Sequence, residues 1–225
     1  MLFISLAMPL MSQNSFAQAS CEANSKLNNF VSEKYPQDIS FDVFRNNKKV
    51  GEHTTHFTRD AGQLAVKSQM KLLIKVLFLT VYEFEYISQA NWCGDKLFQL
   101  DASTNRNGDL SNVRAVSSTQ GVQLTSSLGS VTAPAEIIPT NHWNPAVLKE
   151  STVLNTITGG LNQVSIKRCE IGTESVENAA PGAVCYQYSG ELETRVWYDD
   201  QGRWRGLEFS GDDGSTITYV CQRCS

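Results

Sequence analysis

The sequence predicts an all-β fold: a curved antiparallel sheet or half-open β-barrel of about ten strands, with one short N-terminal helix. Three observations predict it. From Ile39 onward apolar and polar residues alternate in short runs, as in Tyr82-Glu83-Phe84-Glu85-Tyr86, and a period of two belongs to strands. Turn residues such as Asn46-Asn47, Asn107-Gly108 and Gly211-Asp212-Asp213-Gly214 separate these runs. Helical spacing of apolar residues is confined to Leu27, Phe30 and Val31, so Cys21 to Tyr35 reads as a short amphipathic helix that Pro36 stops.

The strands follow in order. Phe41–Arg45 and Val50–Phe57 form a first hairpin, and Asp60-Ala61-Gly62 turns the chain into Leu64–Lys75. Next is the stretch that organises the sequence, Met70 to Tyr86, whose core Leu72–Leu79 is apolar at seven of eight positions. An unbroken apolar run followed by alternation predicts one long strand or two strands, covered on both faces early and on one face later. The run is too short for a membrane helix, which needs about 20 apolar residues. Asn91–Asp95 turns into Lys96–Ser103, and Val113–Ser118 with Val122–Ser126 read as thin polar strands at a sheet edge. Between Pro134 and Leu154, Pro139, Asn141, Trp143 and Pro145 break strand pairing, and Val147-Leu148 allow one helical turn. This irregular crossover is either a core plug or a lid. Strands resume at Leu161–Glu170, Gly182–Ser189, Leu192–Tyr198, Trp204–Ser210 and Thr216–Cys221.

Composition narrows the function classes. The chain has 225 residues, a net charge of -4 and no dense Lys/Arg block, so nothing favours nucleic acid or an anionic lipid surface as partner. Residues 1–19 are charge-free and end in the small-x-small pattern Ala17-Gln18-Ala19, which reads as a secretory signal peptide without a basic n-region. Lipidation at Cys21 fits less well, because Gln18 and Ser20 stand where a Leu and a small residue are wanted. Residues 20–225 are read as a single antiparallel β domain, periplasmic or secreted, with no transmembrane segment.

Six cysteines behind an export signal predict a disulfide framework. Cys169 and Cys185 close a hairpin between strand-like segments and should be bonded. Cys221 and Cys224 are expected near Cys21 or Cys93, with the pairing open.

Signs of catalysis are sparse. His53 and His56 fall on opposite faces of one strand, so they read as exposed or edge residues rather than metal ligands. Cys221-Gln222-Arg223-Cys224 has redox spacing but follows a strand, which favours a structural bridge. No GxSxG, phosphate-loop or HExxH pattern occurs, and nothing implies a cofactor. Arg195, Trp197, Tyr198, Asp199, Arg203, Trp204 and Arg205 gather near the C-terminus, either as a cation–π ladder or as a site where Arg holds a carboxylate and Trp covers its tail.

Several ordered pieces resemble a bacterial family of exported proteins, the domain-of-unknown-function family DUF6134. They are Phe41-Asp42-Val43 with Val50-Gly51-Glu52-His53, Leu77–Phe84, Trp92–Leu97, Trp143-Asn144, Leu154–Gly159 and Val196-Trp197-Tyr198-Asp199 before Gly202. The resemblance implies kinship with other exported DUF3108-like β proteins and with folds that cup apolar space, and it brings no activity or catalytic residue. Cys93, Cys169, Cys185, Cys221 and Cys224 look like additions to the family pattern, which favours stapling over chemistry.

The leading functional expectation is a binder or carrier of an apolar or amphipathic, lipid-like molecule. Its expected contacts are Leu72, Ile74, Val76, Phe78, Tyr82, Phe84, Trp143, Arg195 and Trp197. One alternative is a cell-envelope assembly protein using the Val113–Ser126 edge for strand addition. Another is an enzyme built on Arg195, Asp199, His142 and Asn144.

Overall fold

The computed structural model describes Cys21 and residues 25–60, 62–170 and 182–225. The segment read as a signal peptide lies outside them. The elements are α1 (Lys26–Lys34), β1 (Ile39–Arg45), β2 (Lys48–Asp60), β3 (Gln63–Val76), β4 (Leu79–Cys93), β5 (Lys96–Arg106), β6 (Asp109–Ser118), β7 (Gly121–Ser126) and β8 (Gly129–Ala133). There follow β9 (Ile138–Pro139), the 3-10 turn η1 (Pro145–Lys149), β10 (Thr152–Leu154), β11 (Leu161–Arg168), β12 (Val184–Gly190), β13 (Thr194–Tyr198), β14 (Trp204–Ser210) and β15 (Thr216–Arg223). All the strands form one sheet, in the order β8-β7-β6-β5-β4-β3-β2-β1-β15-β14-β13-β12-β11-β10-β9. The pairs are antiparallel except β9 with β10.

This corrects the expected fold in two respects. There are fifteen strands rather than about ten, and the sheet is open, not rolled into a half-barrel. The end strands β8 and β9 are not hydrogen-bonded to each other, and β9 is not built to close a ladder. Two-residue β9 ends in Pro139, which has no N–H to donate. The additional strands come from Gly129–Ala133 and from the Pro-interrupted crossover, where alternation is too short to read. The sheet edge also moves: Val113–Ser126 is interior, because β8 pairs along β7.

The apolar stretch Leu72–Leu79 belongs to two strands, as the second of the expected alternatives has it, but it is not covered on both faces. It is split by a turn at Leu77-Phe78, with Leu77 in the left-handed region at φ 56° and Phe78 98% exposed. The local reason is pairing: β3 folds back on β4 with Val76 opposite Leu79, so two residues are left to turn the chain. At the first hairpin Asn46 and Asn47 both take positive φ, 46° and 64°, as a tight two-residue turn requires. Beside it, Gly51 approaches β3 so closely that a Cβ would lie 1.9 Å from the Lys71 carbonyl oxygen, a register that only glycine permits.

Ser25 caps α1 by accepting from the Asn28 N–H, and the Leu27 N–H is satisfied by Asp95 at 2.8 Å. These bonds dock the helix at the end of the sheet that carries the Gly94-Asp95 turn. There an aromatic floor forms. Tyr35 stacks on Phe57 at 5.2 Å, and the Trp143 indole meets Phe57 and Trp92 edge-on. Tyr35 Oη donates to the Trp143 carbonyl at 3.2 Å and accepts the Trp204 N–H at 2.8 Å. The crossover is therefore a core plug, with Trp143 only 1% exposed.

Three disulfides staple this frame. Cys169–Cys185 joins the ends of β11 and β12, with Cα atoms 5.4 Å apart. Closing a loop of this size contributes about 3 kcal/mol. Cys21 bonds Cys93, tying the chain ahead of α1 to the end of β4. Cys221 bonds Cys224 rather than sitting beside Cys21 or Cys93, because β15 pairs with β1 and β14, and β1, β2 and β3 stand between it and β4.

Replacing Tyr35 with Phe leaves two buried backbone groups unpaired and should lower unfolding free energy by about 1–3 kcal/mol. Trp143→Ala should cost about 3–5 kcal/mol. Urea titrations followed by circular dichroism measure both, and a neutral Tyr35→Phe would show that the floor does not depend on its hydroxyl.

Candidate functional site

Above this floor lies a cavity of about 660 Å³, within the range of about 300–1,000 Å³ typical of small-molecule sites. Strand periodicity builds its walls. Met70, Leu72 and Ile74 share one face of β3 and stand opposite Tyr86, Phe84 and Tyr82 of β4. Leu207 and Phe209 of β14 and Ile217 and Tyr219 of β15 line the other side. The crossover supplies Thr140, Asn141, His142, Asn155, Thr156 and Ile157.

Polar groups converge at the bottom. Tyr86 Oη donates to Thr156 Oγ1 at 2.7 Å and reaches Asn141 Oδ1 at 3.1 Å, while Asn141 Nδ2 lies 3.4 Å from Ser88 Oγ. The rings of His53 and His142 flank the Trp204 indole, with centroids 5.4 and 5.7 Å away. Trp204 itself is satisfied, its Nε1–H donating to the Gly206 carbonyl. The histidines are not: Nδ1 of each is buried without a hydrogen-bond partner. His142 is fixed from behind, because its carbonyl accepts from Tyr198 Oη at 2.8 Å and its backbone is left-handed at φ 58°.

Burial governs the titration of these rings. Desolvation lowers His53 to about 4, and desolvation with the neighbouring His53 lowers His142 to about 3. Both are neutral at pH 7, so each offers one donor and one acceptor nitrogen. Burial also raises Tyr86 and Tyr219, which stay protonated. At the opposite end of the cavity Arg106 reaches across to Asp212 at 3.1 Å and lies 5.9 Å from the Phe84 ring centroid, and Arg45 pairs with Asp213. The arrangement can hold an apolar body and hydrogen-bond a small uncharged polar group. Among the described residues no group of three or more His, Cys, Asp or Glu is gathered to hold a metal ion.

Of the expected contacts, Leu72, Ile74, Tyr82 and Phe84 line the cavity. Phe78 does not, since it occupies the exposed turn, and the side chain of Val76 lies outside the described residues. Trp143 is in the floor. Arg195 and Trp197 are on the face of β13 opposite Val196 and Tyr198, where Arg195 binds Gln187 and Glu208. The C-terminal cluster is thus divided: Arg195 and Arg203 are ion-paired, Arg203 by Asp199 at 2.7 Å, while Trp197, Tyr198 and Trp204 are buried, and a cation–π contact is made by Arg106 on Phe84 instead. The set Arg195, Asp199, His142 and Asn144 is not brought together: His142 faces the cavity, Asn144 caps η1, and Asp199 closes the β13–β14 turn.

His53 is a further correction, being buried rather than exposed, while His56 is exposed and pairs with Asp38. The available signal was its register opposite Phe41, which places both on the inward face. The contributions of Met70, Leu207, Ile217 and Tyr219 depend on two distant parts of the chain meeting, and no local pattern announces that.

The sequence profile of a domain of unknown function, DUF6134, matches residues 41–222. The chain belongs to the DUF6134 family. Among solved structures, this DUF6134 protein is similar to a crystal structure described as a beta-barrel-like protein of domain of unknown function DUF1849 from Brucella abortus. The two share 8% identity, with a TM-score of 0.57 over 84% of this chain and 96% of that one. At that identity the likeness concerns the fold alone. The comparison with curated proteins finds no match.

Two rings held neutral in the folded state but protonated when unfolded make stability pH-dependent in a defined direction. Their contribution is complete above about pH 6.5 and is lost as pH falls toward about 4 and about 3. Each should cost on the order of 2 kcal/mol by about pH 5. Differential scanning calorimetry between pH 7 and pH 5 should show a falling midpoint, and His142→Asn, which tolerates the left-handed backbone, should flatten that fall.

Proposed function

We propose that this DUF6134 protein is an exported binder or carrier of one apolar or amphipathic molecule, held with its apolar part between β3–β4 and β14–β15. The observation that carries the reading is the cavity itself: some 660 Å³ walled by Met70, Leu72, Phe84, Leu207 and Ile217, with two unpartnered imidazole nitrogens buried beside it. Unpartnered buried polar atoms cost roughly 1–3 kcal/mol each, a penalty that a ligand hydroxyl or protonated acid would remove. A long-chain alcohol, fatty acid or similar amphiphile fits, with its polar end toward His53 and His142 and its tail along the strands. Export to the periplasm or beyond is supported by the charge-free start and by the three disulfides, which suit an oxidising compartment.

A second reading has its own support. The outer edge of β8 has no partner among the described residues, and four of its five residues are exposed. An envelope protein adding a strand there would make this an assembly module.

Native mass spectrometry of protein purified without detergent should show one bound small molecule that solvent extraction removes. The emptied protein should then take up a fluorescent fatty-acid analogue. Ile74→Trp, which fills the cavity without removing a core contact, should weaken that uptake at least tenfold. An apo mass together with no uptake by the wild type would leave the cavity without a ligand role.

A further inference from the structure

The β3–β4 hairpin outgrows the sheet. Its last flanking pairs are Gly51 with Leu72 on the β2 side and Phe84 with Arg106 on the β5 side. The Glu83 backbone is still held by Asn107, whose side chain and N–H bind it. Beyond that point Leu73–Val76 and Leu79–Tyr82 pair only with each other. At about 3.3 Å per residue the free ribbon extends roughly 15 Å past its neighbours. Such a projection in water is expected to be polar. This one ends in Leu77, Phe78 and Leu79, which are 88%, 98% and 73% exposed.

We propose that this tip docks on a lipid surface, placing Leu77, Phe78 and Leu79 in the apolar boundary of a bilayer. Shape is the first argument. A two-residue turn is convex and needs a groove to bind a protein, whereas a fluid interface moulds around it. Area is the second, since a stable protein interface buries about 800 Å² on each partner and three tip side chains supply far less. The third is continuity with the cavity: Ile74, Val81 and Tyr82 of the same ribbon line it, and Val81, at the bulge, is also 53% exposed. Antiparallel order puts the β1–β2, β5–β6, β7–β8 and β14–β15 turns at the same end as the tip. Leu110 and Leu128, both 72% exposed, lie beside two of these turns.

Charge defines the kind of surface. Among the described residues the basic side chains near the tip are mostly neutralised: Lys71 is paired with Glu83 and Glu85, Lys49 with Asp42 and Glu52, Arg45 with Asp213 and Arg106 with Asp212, which leaves Lys75 on the ribbon and Lys48 in the β1–β2 turn. Binding is therefore apolar and insensitive to salt, and it does not require anionic lipid. The inference stands on the ribbon and holds whether or not the cavity takes a ligand, because ligand uptake is measured without vesicles.

Co-sedimentation with phosphatidylcholine vesicles tests it. The wild-type protein should pellet with the vesicles to the same extent at low and high salt. Leu77→Ser with Phe78→Ser should reduce the bound fraction at least tenfold while leaving the circular dichroism, thermal midpoint and ligand uptake unchanged, since both side chains already face water. Phe78→Trp adds an indole at the tip, and its emission should shift to the blue on vesicle addition, whereas the native Trp92, Trp143, Trp197 and Trp204 are buried and report little. The proposal is overturned if wild type stays in the supernatant, or if the double substitution pellets equally. It is also overturned if light scattering shows a dimer that the double substitution dissolves, which would assign the tip to a second copy of the chain.

Discussion

The fold depends on how the crossover between β8 and β11 is held under the sheet. That segment breaks strand pairing, so its carbonyls need partners from elsewhere, and two tyrosines provide them. Tyr35, just past α1, and Tyr198, at the end of β13, donate to the carbonyls of consecutive residues Trp143 and His142. Each bond alone is worth about 1 kcal/mol. Together they fix a Trp whose ring is enclosed by Trp92 and Phe57, and so connect the helix, the β2–β4 wall and the C-terminal strands. The position of His142 at the cavity follows directly, since the same peptide that anchors Trp143 turns the imidazole the other way.

Two ends of different character result. At one, α1 packs on the aromatic floor, and the Tyr35 and Tyr198 hydroxyls both have backbone partners. At the other, the strands run out into hairpins of unequal length, and the space between them is kept open by bulky residues that line it without filling it. An ion pair from Arg106 to Asp212 spans that end and is largely exposed, so it is worth little in stability and can separate readily.

Much of this was legible locally. Asn46-Asn47, Asn107-Gly108 and Asp213-Gly214 marked their turns because each pair tolerates the backbone a tight turn imposes. Cys169 and Cys185 were readable as neighbours because one hairpin separates them. The apolar run from Leu72 to Leu79 misled, since burial on both faces and exposure at a projecting tip write the same pattern of residues. The open fifteen-strand sheet was not legible either, because β9 and β10 are too short to show a period and their pairing is set by tertiary contact. His53 and the β14–β15 wall belong to the same class: what makes them a site is an encounter between residues far apart in sequence.

That separation also governs how the chain reaches its native state. β1, near the start of the described residues, pairs along its length with β15, Ile217 opposite Arg45 and Arg223 opposite Ser40. Until the C-terminal strand has been released, β1 has an open edge, and the Tyr219 side of the cavity does not exist. Non-local pairing of this kind raises contact order and slows folding. A chain threaded across a membrane from its N-terminus would thus complete its sheet only after the last segment had emerged, with β1–β8 waiting as a half-sheet that needs shielding from its own kind.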